Sequence, residues 1–151
     1  MSIIEVLSIM DRLQDSLCFK LGSSARSMQK QYNAHCAEYG ITIAQSFILF
    51  LLLAEDGLNP KTLAEQLEID GSAITGLVDR LEKESLVERK TDPADRRAFC
   101  VFLTRKGRRK AEQVLPAAME VNNRLKAGLS KGDEETVSRF LENVKGLDRQ
   151  D

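Results

Sequence analysis

Tryptophan is missing from the chain, histidine occurs once, and cysteine and proline occur three times each. Each shortage removes a class of function. The cysteines, Cys18, Cys36 and Cys100, are widely spaced with no C-x-x-C pair, so neither a structural zinc site nor a disulfide scaffold is expected. The lone His35 reads as structural or solvent-facing. No nucleophile–base pair and no phosphate-cradling glycine loop stand out, which argues against an enzyme, and no cofactor is implied. The longest apolar run, FILFLLLA at 47–54, falls far short of the ~20 residues that span a bilayer, so no membrane association is expected. The opening MSIIEVLSIMDRL lacks a basic segment and is interrupted by Glu5 and Asp11. It does not read as an export signal, and a cytoplasmic location is expected.

What is present is an ordinary globular composition, 42% hydrophobic and 30% charged over 151 residues, which suits one folded chain with a real core. The net charge of −1 hides an uneven distribution. From Arg80 to Lys110 there are eleven bases and five acids, 11 − 5 = +6, which leaves −7 for the remainder. A basic segment on an acidic body is the electrostatic footprint of a polyanion-binding surface if its bases share a face.

Apolar residues at Val6, Met10, Leu13, Leu17, Leu21, Ala25, Met28 and Tyr32 recur at helical spacing and predict one long helix over about 5–38, stopped by Gly40. Thr42 caps a buried helix to about Leu53, and Asn59-Pro60 opens a short one, PKTLAEQL. Asp70 then caps SAITGLVDRLEKES, in which Ile74, Leu77, Val78 and Leu81 form an apolar stripe opposite Ser72, Thr75, Gly76, Asp79, Arg80 and Lys83. Two short strand candidates follow, LVERK at 86–90 and AFCVFL at 98–103, joined by the polar TDPADRR. Helix, turn, helix and hairpin in that order predict a mainly α winged helix-turn-helix with a small β-wing. Thr104 caps a long helix over 105–128 that contains Pro116, and Ser130 with Asp133 forms a capping box for a last amphipathic helix. The DNA-binding part is expected at 42–110. The helices at 1–38 and 115–151 carry surplus apolar faces that a homodimer would cover, and form the expected dimerisation part.

The run LAEQLEIDGSAITGLVDRLEKESLVERKTDPADRRAFCVFLTRKG at 63–107 resembles the MarR family of bacterial transcriptional regulators. The likeness is most specific in D-x-x-D-R-R…L-T and the glycine just inside the following helix. It implies a homodimeric winged-helix repressor that binds a pseudo-palindromic duplex operator and lets go when a small molecule binds or a cysteine is oxidised. A narrower likeness, LCFKLGSSARSMQKQY at 17–32, is to the branch that senses organic hydroperoxides. It implies a reactive thiol at Cys18 and a partner-subunit tyrosine at Tyr32. Two further tyrosine positions of that branch fall on Ile43 and Gly22, which favours a small, aromatic or otherwise apolar effector over an oxidant.

Candidate DNA contacts follow from shape and charge. A helix entering a major groove presents its N-terminal residues to base edges, which singles out Ser72, Ala73, Thr75, Gly76 and Arg80, with Lys61 on the preceding helix. A minor groove admits an extended arginine. The resemblance implies that role for Arg97; Arg96 meets phosphate or shares the groove, and Asp95 is placed to brace a guanidinium. The bases from Arg105 to Lys110 either hold phosphates or merely solvate a helix. Cys18 is either a small buried hydrophobe or the sensing thiol. Cys36, 18 residues further along, would be roughly 27 Å away on a straight helix, so the two do not bridge.

Overall fold

The computed structural model describes residues 12–92, 95 and 97–147. Six helices and a hairpin follow one another as α1 (Leu17–Glu38), α2 (Ile43–Ala54), α3 (Pro60–Leu67), α4 (Gly71–Lys83), β1 (Val87–Thr91), β2 (Phe99–Leu103), α5 (Arg105–Lys126) and α6 (Lys131–Lys145). None of the described helices is long and apolar enough to cross a membrane by itself.

The expected single helix over 5–38 is broken where the structure describes it. Residues 12–15 are helical, but Ser16 turns its backbone extended (ψ 138°) and its hydroxyl accepts the Phe19 N–H to start α1 afresh. The apolar spacing simply runs across the cap, which hides it. Residues 5–11 lie outside the described residues.

Chain contacts divide the protein into two compact units, with the boundary between Leu115 and Pro116. In the first, α2, with Ile48, Leu49 and Leu52 fully buried, packs against α3, α4 and β2, whose Leu63, Ile74, Val78, Leu81 and Val101 are fully buried too. Side chains of this size contribute roughly 1.5–3 kcal/mol each when buried, so this junction sets where α4 sits. The hairpin is antiparallel, with Val87 opposite Leu103 and Thr91 opposite Phe99. A third, one-residue strand was not anticipated: Leu58, just before α3, bridges Val101, and Gly57 donates to the Val101 carbonyl at 3.1 Å. Gly57 has φ +81°, and the Phe102 ring fills the space its Cβ would take, so only glycine fits. In the second unit, α6 starts on the expected Ser130–Asp133 capping box and buries no side chain within the chain.

Candidate nucleic-acid interface

Helix α4 is positioned from inside and open outside. Ile74, Val78 and Leu81 are fully buried, while Ser72, Ala73, Thr75 and Arg80 are exposed on the opposite side. Asp70 begins the helix: its Oδ1 accepts the Ser72 N–H at 2.9 Å and the Ser72 hydroxyl at 3.0 Å. Those two bonds hold the Asp70 carboxyl below the usual aspartate range. Thr75 donates its hydroxyl to the Gly71 carbonyl at 3.2 Å, leaving its lone pairs for another donor. Nothing lies within 4 Å of where a Gly76 Cβ would stand, so the backbone is approachable from outside.

The wing tip departs from expectation in one respect. Asp95 does not brace the guanidinium of Arg97; its Oδ1 accepts the backbone N–H of Arg97 at 2.9 Å, and its carbonyl accepts from Ala98. A short aspartate reaches its own backbone two residues on more readily than a flexible arginine head, so it shapes the turn. The Arg97 side chain is exposed and makes no ion pair with another described residue. Arg96 lies outside the described residues. Lys61, at the start of α3, is exposed and only loosely paired with Glu65 at 3.9 Å. A groove of about 400 Å³ lined by Asn59, Lys61, Asp95, Arg97 and Phe99 brings Lys61 and Arg97 to the same edge of the molecule.

Eight of the eleven bases of the basic segment sort into two sets. Lys106 Nζ donates to the Glu84 carbonyl at the end of α4, and Lys110 Nζ to the Tyr39 carbonyl at the end of α1, both at 2.7 Å. Arg108 pairs with Asp56 at 3.3 Å, and Asp56 also accepts the Leu103 N–H at 2.8 Å. These three bases of α5 hold the fold together. Arg80, Lys83, Arg97, Arg105 and Arg109 remain exposed without an ion pair to a described residue. Spacing gave no sign of Asp56 as the receiver of Arg108, since 52 residues separate them.

The candidate effector residues lie on α1 and α2. Tyr32 is 8% exposed and stacks on Phe47 with centroids 5.8 Å apart. The Cys36 thiol donates to Ser46 Oγ at 3.9 Å. Burial pushes both the Tyr32 phenol and the Cys36 thiol above their ordinary pKa, with the Ser46 bond acting the other way. Ile43 is half-buried beside them, its N–H on Asn33 Oδ1. Cys18 is exposed in the single chain, which does not bring it to Tyr32 or Ile43. Cys100 is half-buried, and burial, then the nearby Asp92 carboxylate, raises its pKa.

Known proteins carry the same pattern. The sequence model of the MarR family matches residues 41–99, which spans α2 to the start of β2. The organic hydroperoxide resistance transcriptional regulator of Bacillus subtilis is 35% identical over 64% of this chain, a stretch covering 65% of that protein, just under two thirds of its length. The transcriptional repressor MdtR of the same organism is 32% identical over 70% of this chain and 68% of its own length. Among solved structures, a probable transcriptional regulator from Pseudomonas aeruginosa is 32% identical with a TM-score of 0.73, covering 87% of this chain and 98% of that one. CouR of Rhodococcus jostii is 26% identical and has been solved with p-coumaroyl-CoA, at a TM-score of 0.75 over 89% of this chain and 93% of its own. A CouR structure with a 23-mer DNA duplex gives a TM-score of 0.78 over 90% and 96%. Fold, helix-turn-helix, wing and relatives agree: this chain belongs to the MarR family of transcriptional regulators.

Proposed function

We propose that the protein is a homodimeric repressor that binds a pseudo-palindromic duplex operator through α4 and the wing, and is released by a small apolar effector. The observation that carries this reading is the pairing of an open, polar outer face on α4 with an exposed Arg97 whose turn is pre-shaped by Asp95. Ser72, Ala73, Thr75, Gly76 and Arg80 would meet base edges and phosphates in the major groove, Arg97 the minor groove, and Lys61 a phosphate. The apolar faces left on α6 and at Met119 and Leu125 of α5 fit a second copy of the chain. Selection from a random duplex pool followed by titration at two salt concentrations tests the reading. A steep fall of affinity with salt and enrichment of a two-fold sequence are expected. No enrichment and no salt dependence would leave a winged helix that binds protein instead.

For the effector, Gly22 and Ile43 favour a ligand, because they stand where the hydroperoxide-sensing branch carries tyrosines. The exposed Cys18 and the 35% identity to a hydroperoxide resistance regulator support the second reading, an oxidant acting on that thiol. Phenolic ligands and an organic hydroperoxide, each applied to the protein and to its Cys18→Ser variant, separate the two. Release by ligand in both proteins supports the first reading, and peroxide release only with Cys18 present supports the second.

A further inference from the structure

We propose that Arg89 is a positioning residue for operator recognition: it fixes the recognition helix against the wing, so that major- and minor-groove contacts fall at a set separation. The proposal rests on the DNA-binding reading above. Arg89 stands in mid-β1, opposite Val101. Its guanidinium turns back onto α4, with one terminal nitrogen on the Asp79 carboxylate and the other on Glu82 Oε2 at 3.2 Å. Its carbon lies 4.7 Å from the centre of the Phe99 ring. Asp79 and Glu82 are three residues apart on α4, one turn, so a planar fork spans both at once where a lysine would hold one.

The placement ties three elements. Asp79 and Glu82 are the sequence neighbours of Arg80 and Lys83 on the outer half of α4, and Phe99 follows Arg97 by two residues on the strand returning from the wing tip. One head group therefore touches both structures that would reach the duplex. Its side chain is 27% exposed and its Nε is buried without a hydrogen bond, so the guanidinium is committed inward and is not itself free for phosphate. Arg89 contributes to the +6 of the segment, yet it serves α4 and not the DNA.

A rival explanation is plain screening, in which Arg89 only neutralises two acids that would repel phosphates. The two explanations part in the Asp79→Asn/Glu82→Gln double variant, altered at half-exposed positions of a capped helix. Screening predicts that operator and random-duplex affinities rise together. Positioning predicts that random-duplex affinity rises while the operator-to-random ratio drops, by about tenfold if the loss matches one misplaced base contact. Arg89→Lys, which keeps the charge without the fork, is expected to lower the same ratio. A ratio unchanged in the double variant, or Arg89→Lys binding operator like the parent, overturns the proposal. A parent protein that binds no duplex at all would instead sink the DNA-binding reading beneath it.

Discussion

A methyl group at Gly107 would stand 1.8 Å from the Leu86 carbonyl oxygen. Alanine there gains up to about 1 kcal/mol of helix propensity, but the neighbour is backbone and cannot step aside. The clash costs about 1–3 kcal/mol or more, so Gly107→Ala is expected to lower the urea midpoint of unfolding. Gly76→Ala should do the reverse. Its Cβ meets nothing, so the same propensity raises stability by about 0.5–1 kcal/mol, while a methyl between α4 and a duplex weakens binding in a mobility-shift assay. Arg97→Ala should leave the unfolding curve in place and cost roughly 1–3 kcal/mol of operator binding. The cysteines differ in access: with iodoacetamide at neutral pH, Cys18 is expected to react in the native protein, and the buried, pKa-raised Cys36 only on unfolding. The exposed place of Arg97 on the wing could be read from the sequence because a hairpin tip needs no partner. Arg89 could not, because alternation along a strand tells which face a residue takes and nothing about the helix waiting there.

Helix caps are where the sequence is most transparent. Thr42, Asn59, Asp70 and Ser130 all begin helices as their residue types dictate, and the hairpin strands fall within a residue of their expected bounds. Ser16 escaped because the apolar rhythm continues across it, and the Leu58 bridge because one residue of strand has no pattern. The Asp70 cap carries a pH dependence. Its folded pKa lies below the ordinary 3.8, so the carboxylate's support of α4 is complete above that value and fades as pH falls through the lower folded pKa. Asp70→Asn, which accepts the Ser72 N–H without titrating, should flatten the acid limb of the stability curve below about pH 4.

At the scale of the whole molecule, the described residues of the second unit leave an apolar face without a partner in the chain. Val137, Phe140 and Leu141 are 41%, 38% and 43% exposed along α6, a stripe that water does not favour. Phe140→Asp with Leu141→Asp should convert the proposed dimer into monomers by sedimentation while the circular dichroism of the first unit's helices persists. Operator affinity would fall with it, since two half-sites bound together gain from linkage. The wing has a consequence of another kind, for folding. The Asp56–Leu103 bond joins residues 47 apart, and the Leu58–Val101 bridge lies just inside it. Everything that would read DNA is enclosed in that one closed loop. Its ends must find each other before α4 gains its full packing, and the entropy of closure falls on the last contacts made. A peptide containing only α3 and α4 would thus carry the recognition residues without the lock that shapes them. Hydrogen exchange should show Leu58, Val101 and the core of α4 opening together, as a single cooperative step.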